Sequence, residues 1–222
     1  MKQQVAVIGL GRFGSAVATE LVRLGHEVLG IDTSMETVQG LSAHLSHVVQ
    51  AEATDEETMA RLGLGEFDVA VVGISSDLET SILATLMLKR MGVKRVIVKA
   101  RNDTHGEILE RVGADRVVYP ERDTGLRLAH SWTSSDITDS LDVVEGYAVS
   151  RVTVPPEIVG QTVKRAVLDR NFQVTLLLLA RGERVTVYPS GTETIRSGDI
   201  LVIGGELSEM ERFFASIHGA AS

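Results

Sequence analysis

The first half of the chain alternates short apolar runs with amphipathic segments. The apolar runs, rich in valine and isoleucine, are QVAVIGL, EVLGIDT, HVVQAEA, FDVAVVGIS, RVIVKA and DRVVYPE. Near-continuous β-branched runs are typical of strands covered on both faces, so they predict a parallel sheet with helices between its strands. We therefore expect an α/β fold with a doubly wound, six-stranded Rossmann-like sheet in the order 3-2-1-4-5-6, whose ligand lies beside strand 1.

The segments between these runs carry the start and stop signals of helices. Thr33 or Ser34 is a candidate N-cap of the second helix, and the segment TDEETMARLGL has acidic residues in its first turn. The segment SDLETSILATLMLKRMG ends in Lys89, Arg90 and Gly92. Acidic residues at the start of a helix and basic residues at its end complement the helix dipole, so these signals favour helices between the strands.

After Glu121 the pattern changes. The segment RDTGLRLAHSWTSS predicts a helix, and the polar stretch TSSDITDS follows it. Because Ser, Thr and Asp cluster in this stretch, we place a domain boundary near Ser134. The chain is thus predicted to form a first domain of residues 1–133 and a second, smaller domain of residues 134–222.

The second domain is predicted to be of the α+β class. EGYAVSRVTV alternates as a strand does, GQTVKRAVLDRN has a helical pattern, and FQVTLLLLARGERVTVYP predicts a hairpin that turns at Arg181-Gly182. SGDILVIGG predicts a further strand and SEMERFFASI a closing helix. The predicted order is βαβββα.

Composition narrows the class of protein. The 222 residues are 44% hydrophobic, carry a formal net charge of -8 and include no cysteine. An acidic balance argues against a surface for nucleic acid or anionic lipid, and the lack of cysteine excludes disulfides and thiolate metal sites. The chain shows no signal-peptide pattern, and its longest apolar stretches fall short of the roughly 20 residues that cross a bilayer. We expect a cytoplasmic protein that binds no nucleic acid and reaches a membrane only through a partner.

A glycine-rich turn follows the first predicted strand. Gly9, Gly11 and Gly14 form G-x-G-x-x-G, and Asp32 stands at the end of the second predicted strand. In the dinucleotide-binding fingerprint the glycines allow a tight turn, a close approach of phosphate and close helix packing, and the acidic residue accepts the ribose hydroxyls. A tight turn without a ligand is the alternative. The pairing with Asp32 favours an adenine nucleotide, and the carboxylate disfavours the 2'-phosphate of NADP.

Arg12 departs from the usual form of this turn. Many dinucleotide-binding folds have a small or apolar residue here, because backbone donors already satisfy a diphosphate. A guanidinium adds a forked cation that suits a more highly charged phosphate group. Arg12 therefore favours ATP or ADP over NAD, unless it is a solvated surface arginine.

Groups for catalysis are scarce. An NAD-dependent oxidoreductase needs a proton donor near the nicotinamide, such as a Tyr-x-x-x-Lys pair. None of Tyr119, Tyr147 and Tyr188 has a lysine four residues later, and the chain has neither a GxxxxGKS loop nor a GxSxG elbow. We expect a nucleotide sensor without enzymatic activity. An NAD-binding sensor or a small NAD-dependent oxidoreductase is the alternative.

Several segments together resemble one family. GLGRFG with Asp32, EATDEETM, VVGIS, VIVKAR, GADRVVYPERDTG and the βαβββα tail are similar to the RCK (TrkA-N/TrkA-C) subunits that regulate potassium uptake, and to the KtrA-like ones in particular. The likeness extends over essentially the whole chain. It implies that dimers assemble into an octameric gating ring beneath a membrane potassium-translocating subunit of the Ktr or Trk type. It also implies that ATP activates the ring and ADP inactivates it.

The resemblance also implies the binding residues. Arg12 would contact the γ-phosphate of the nucleotide in the neighbouring subunit, Asp32 the ribose, and Lys99 the phosphates. Adenine contacts would come from the end of the third strand and the end of the fourth. The full expected set is Gly9, Gly11, Arg12, Phe13, Gly14, Asp32, Thr33, Glu52, Ala53, Thr54, Gly73, Ile74, Lys99 and Glu121.

Two further sites follow from the same resemblance. Glu121 matches a carboxylate that holds a divalent cation, Mg²⁺ or Ca²⁺, between subunits; an exposed loop acid is the alternative. Glu52 stands where Asp or Asn is usual, which leaves the contact of its side chain open.

Related second domains bind cyclic di-AMP, and here Val163 and Lys164 align loosely with its contacts. Asp169, however, stands where a basic residue is expected, and an acid disfavours a phosphodiester.

Overall fold

The apolar runs of the first half form a six-stranded parallel sheet in a computed structural model that describes residues 2–133 and 137–219. The strands run in the spatial order β3-β2-β1-β4-β5-β6, which confirms the predicted doubly wound sheet. They are β1 (Gln4–Ile8), β2 (Glu27–Asp32), β3 (His47–Gln50), β4 (Val69–Val72), β5 (Arg95–Lys99) and β6 (Arg116–Val118).

Helices cover both faces of this sheet. They are α1 (Arg12–Arg23), α2 (Met35–Leu41), α3 (Glu56–Arg61), α4 (Leu78–Arg90) and α5 (Asp103–Val112). Ile8 and Val72 belong to an apolar cluster that also includes Leu88 of α4 and Leu109 of α5. The alternate strand positions pack into a second cluster with Ala18 of α1. Because both faces are buried, the strands are apolar at nearly every position.

Most of these helices begin at a side-chain cap. Ser34, Asp55, Asp77 and Asn102 each accept a hydrogen bond from the backbone amide three residues later, at 3.3, 3.1, 3.2 and 2.9 Å respectively. Such caps satisfy amides that have no partner inside the helix. Thr33 and Ser34 are the two candidates predicted for the N-cap of α2, and the N-cap in the structure is Ser34.

The second half of the chain forms an antiparallel five-stranded sheet in the order β10-β9-β11-β8-β7. Its strands are β7 (Ile137–Val144), β8 (Tyr147–Thr153), β9 (Val174–Arg181), β10 (Arg184–Val187) and β11 (Ile200–Glu206), and its helices are α6 (Pro120–Thr133), α7 (Val163–Ala166) and α8 (Leu207–Gly219). The hairpin turns through Gly182, whose φ is 58°. Phe213 and Phe214 of α8 lie in the core of this unit with Leu201 and Ile203.

The segment predicted as a polar connection is in part a strand. TSSDITDS was expected to link the domains, but β7 begins at Ile137 and pairs with β8. Ser140 and Ser150 lie opposite each other, both buried, and their hydroxyls are 3.0 Å apart. Pairing with β8 thus satisfies hydrogen-bonding groups of these polar side chains, although a segment of this composition is typical of a loop.

The predicted helix GQTVKRAVLDRN is also shorter than expected. Thr162 caps α7, but Val167 leaves the helical conformation with a φ of -125°. A 3-10 turn, Leu168–Arg170, follows and ends at Asn171 with a φ of 58°. The one-residue break at Val167 divides what the sequence pattern presents as one helix.

The chain divides into two compact units, Met1–Pro120 and Glu121–Ser222. The predicted boundary at Ser134 lies outside the described residues, and the assignment of residues 1–133 and 134–222 to two domains stays a prediction. Over the described part of the chain, the helices are too short or too polar to span a bilayer.

A buried carboxylate in the second unit pairs with the end of β9 from the turn before β11. The Asp199 side chain is 1% exposed and accepts from Nε and Nη2 of Arg181 at 2.8 and 2.7 Å. The backbone amide of Arg196 donates to the same carboxylate at 2.8 Å. These donors, the guanidinium first, keep the pKa of Asp199 below its ordinary value of 3.8. The ionised form is therefore stabilised by folding.

We expect Asp199→Asn to lower the free energy of unfolding by about 2 to 3 kcal/mol, because the buried partner of Arg181 loses its charge. Since folding lowers the pKa of Asp199, its contribution is fully present above pH values of about 5 and is lost as the pH falls below about 4. Urea denaturation of both proteins between pH 3 and 7 measures this difference.

Glu193→Gln is the matched control. Its carboxylate also contacts Arg181, at 3.2 Å, but its side chain is 38% exposed. We expect a loss below about 1 kcal/mol. Equal losses for the two variants, or a loss for Asp199→Asn that stays constant down to pH 3, contradict the prediction.

Candidate functional site

The glycine turn lies between the ends of two neighbouring strands, β1 and β4. The backbone amide of Gly9 donates to Ile31 O at 2.8 Å, and that of Gly73 donates to Ile8 O at 2.7 Å. A Cβ atom at Gly73 would be 2.7 Å from Gly9 O, and one at Gly9 would be 2.7 Å from Ile74 Cγ1. Gly9 also has a φ of 85°. Both loops therefore need glycine to approach each other this closely.

Gly14 brings α1 onto the turn. A Cβ atom at this position would lie 2.0 Å from Gly9 O, a separation that no substitution tolerates without moving backbone. Ser15, which follows it, donates its hydroxyl to Leu10 O. Sequence reasoning missed Ser15, because the glycine spacing gives no signal for a hydroxyl inside the turn.

Gly11 differs from the other glycines of the turn. It is the N-cap of α1 with φ and ψ of -64° and -171°, and within the described chain no side chain caps this helix. A Cβ atom there would meet no described atom within 4 Å. The first turn of α1 carries no acidic residue. Uncapped amides at the positive end of a helix dipole, beside open space, favour an anion such as phosphate.

Asp32 joins the two loops beside this turn. Its Oδ2 accepts from the backbone amide of Leu10 at 2.7 Å, and its Oδ1 accepts from that of Ser34 at 2.8 Å. Each carboxylate oxygen can accept a second hydrogen bond, so these contacts leave acceptor capacity for ribose hydroxyls. Asp32 thus fixes the turn and can also bind a ligand.

Three side chains with a cation or a ring meet the turn from α1 and β5. Arg12, the first residue of α1, is exposed. Phe13 is partly buried against the apolar cluster under α1. Lys99, the last residue of β5, has its Nζ 5.8 Å from the centroid of the Phe13 ring. Lys99 and Phe13, which are both expected to bind the nucleotide, therefore contact each other.

The other expected residues follow the ends of neighbouring strands. Thr33 is exposed after β2, and its carbonyl accepts from Gln50 Nε2 at 2.9 Å. Glu52 and Thr54 are exposed after β3, whereas Ala53 is 4% exposed and belongs to the core. Since all strands of the sheet are parallel, these positions share its carboxyl edge with the glycine turn, where α/β folds bind ligands.

The residues expected in the second unit are described separately. Glu121 is exposed in the first turn of α6. Of the described residues, no three His, Asp or Glu side chains form a group that could hold a metal ion. Val163 is 1% exposed and packs in the core, while Lys164 and Asp169 are exposed. The side chain of Val163 thus packs against residues of its own chain.

Two family matches cover most of the chain. Residues 5–120 match the TrkA-N domain, and residues 149–218 match the TrkA-C domain. The chain is 36% identical over 213 residues to the Ktr system potassium uptake protein C of Bacillus subtilis (strain 168), with 96% of each covered. It is 34% identical over 215 residues to the Ktr system potassium uptake protein A of Vibrio alginolyticus, covering 97% of this chain and 98% of that protein.

Solved structures share the fold. The GsuK RCK domain superposes with a TM-score of 0.66 at 17% identity, over 95% of this chain and 46% of that one. The GsuK channel bound to NAD gives 0.53 at 23% identity, over 98% and 39%. GsuK bound to ADP gives 0.53 at 18% identity, over 61% and 36%. This chain spans less than half of those chains, and at these identities the likeness concerns the fold alone.

We expect Gly11→Ala to weaken nucleotide binding about tenfold or more without lowering stability. The backbone angles suit alanine and the added methyl meets no described neighbour, but it would take up part of the open space beside the uncapped end of α1, where we expect the phosphates. Hydrogen bonds from such amides to a charged group contribute about 1.5 to 3 kcal/mol each. Calorimetric titration with ATP and ADP, beside thermal melts, measures both effects.

Gly40→Ala is the matched control, because this helical glycine of α2 also has no described atom within 4 Å of an added Cβ. It should bind nucleotide as the unmodified protein does. Equal affinities for all three proteins would show that the uncapped end of α1 holds no phosphate.

Proposed function

This chain belongs to the RCK (TrkA-N/TrkA-C) family, and from that membership we propose that it is a nucleotide-sensing regulatory subunit of a potassium uptake system. Its partner is a membrane potassium-translocating subunit of the Ktr or Trk type, which it meets on the cytoplasmic face. The support is the near full-length similarity to two Ktr system potassium uptake proteins. The chain contributes regulation and no reaction of its own.

The observation that carries the sensing role is the uncapped N-terminus of α1 beside Gly11. A site built from backbone amides and a helix dipole favours phosphate, and we propose that the carboxylate of Asp32 accepts the ribose hydroxyls. The same carboxylate repels a 2'-phosphate, which disfavours NADP. These features together favour an adenine nucleotide.

Arg12 supports ATP and ADP as the signals. A guanidinium at the positive end of a helix is unfavourable unless an anion is near, and its fork suits a terminal phosphate. We propose that Arg12 contacts the γ-phosphate bound by a neighbouring subunit. ATP and ADP then differ in a contact that crosses an interface between subunits.

This difference is what regulation requires. A ligand shifts a conformational equilibrium only by its differential affinity for the two states. We propose that dimers assemble into an octameric ring, active with ATP and inactive with ADP. Glu121 would hold a divalent cation, Mg²⁺ or Ca²⁺, between subunits, which offsets the charge of carboxylates and triphosphates that converge there.

An NAD-binding sensor or a small NAD-dependent oxidoreductase is the second candidate. One observation favours it, namely the shared fold with a GsuK channel bound to NAD. The exposed cation at Arg12 and the lack of a Tyr-x-x-x-Lys pair in the sequence argue against it.

ATP and ADP should stabilise the protein more than NADH or NADPH do. A ligand at about a hundred times its dissociation constant adds about 2.7 kcal/mol to the stability of the folded state. Thermal melts with each nucleotide at equal concentration measure which of the four stabilises the protein most. Stabilisation by NADH alone would exclude the ATP and ADP assignment in favour of the second candidate.

Arg12→Ala should narrow the ratio of the ATP and ADP affinities, because only ATP offers a γ-phosphate to the guanidinium. Arg61→Ala is the control, since Arg61 is an exposed arginine of the same unit, on α3. Titrations of both variants with ATP and ADP, alongside light scattering to measure the assembly, test the role. An unchanged ratio in an intact ring would rule it out.

A further inference from the structure

The side-chain amide of Gln50 is held beside the loop that carries Asp32. Gln50 is the last residue of β3 and pairs in register with Asp32, the last residue of β2. Its Nε2 donates to Thr33 O at 2.9 Å. The backbone amide of Ala51 donates to Asp32 O at 3.1 Å. These two hydrogen bonds join the end of β3 to the loop after β2, and they determine where the Gln50 amide lies.

The bond to Thr33 also fixes the orientation of this amide. A glutamine amide has a donor end and an acceptor end, and a half-turn exchanges the two. At Gln50 the half-turn would bring Oε1 against Thr33 O, where two acceptors repel each other. Gln50 is exposed, and among the residues that the structure describes no group donates to its Oε1. Oε1 and one Nε2 hydrogen are therefore left to bind a ligand.

The order of the strands indicates which part of a nucleotide would lie at Gln50. The uncapped end of α1 follows β1, Asp32 ends β2 and Gln50 ends β3, and the three strands are neighbours in the sheet. In a nucleotide the phosphates and the base leave the ribose on opposite sides of its ring oxygen. With the phosphates at α1 and the ribose at Asp32, the base extends toward the end of β3.

An amide with a fixed orientation distinguishes purines by the group at position 6 of the base. Adenine has an amino group there, which donates, and a ring nitrogen beside it accepts. A glutamine that offers one acceptor and one donor matches this pair. Guanine and hypoxanthine have an oxygen at position 6, which the amide oxygen repels. A glutamine free to turn would suit either kind of base, whereas one held by Thr33 O favours adenine.

We propose that Gln50 selects adenine over the 6-oxo purines, by accepting a hydrogen bond from the 6-amino group through Oε1. The inference rests on the proposed function and gives it a specificity-determining residue outside the set expected from the sequence. Thr33 takes part through its backbone carbonyl, which keeps the acceptor end of the amide directed toward the base.

The test compares the affinities of the full chain for ATP and for ITP, whose base has an oxygen in place of the 6-amino group. We expect the unmodified protein to bind ATP about tenfold more tightly than ITP. Gln50→Met removes both ends of the amide and should bring the two affinities within about twofold of each other, mainly by weakening ATP binding. Gln3→Met is the matched control, because Gln3 is exposed before β1, at the opposite edge of the sheet, and should leave the ratio unchanged.

The ratio of the two affinities separates base selection from support of the loop after β2. If Gln50 only supports this loop, Gln50→Met lowers both affinities by the same factor. That result, or equal affinities in the unmodified protein, would overturn the selection role. Thermal melts without nucleotide report folding, and Gln50→Leu replaces Gln50→Met if methionine lowers the melting temperature. If the unmodified protein binds neither ATP nor ADP, the proposed function fails instead, so the two failures are distinct.

Discussion

The close approach of three backbone segments at the glycine turn is the constraint on which the site depends. Gly9, Gly14 and Gly73 meet where an added Cβ would lie 2.0 to 2.7 Å from its nearest neighbour. Their backbones bring the start of α1 against the ends of β1 and β4. The uncapped amides of that helix thereby lie at the carboxyl edge of the sheet, where the other candidate residues of the first unit follow the ends of the strands.

Local electrostatics at this edge oppose those of the whole chain. The protein has a net charge of -8, yet the first turn of α1 carries Arg12 and no acid, and Lys99 lies close by. Asp32, the carboxylate beside the turn, is engaged by the amides of Leu10 and Ser34. A phosphate at this edge would meet donors and cations at close range, whereas salt screens the negative charge of the distant surface.

Much of this arrangement could be predicted from the sequence, because its signals are local. β-Branched runs fixed the strands and their order, and the glycine spacing with Asp32 located the turn. The strand β7 could not be predicted, since its polar residues are satisfied only by pairing with β8, as Ser140 and Ser150 show. Phe13 of α1 and Lys99 of β5 lie far apart in the sequence, and no spacing rule predicts their contact. The assignments of individual residues to ligand atoms remain predictions.

The hydrogen bonds of Asp32 have a kinetic consequence. They join the loop after β1 to the loop after β2 through protein atoms alone, so the glycine turn is formed before any ligand binds. A binding turn that needs no rearrangement binds its ligands at rates set mainly by diffusion. Ligands that bind to the same turn then differ chiefly in their dissociation rates. The residence time of the bound nucleotide, rather than its arrival, would set how quickly such a sensor follows a change in the cell.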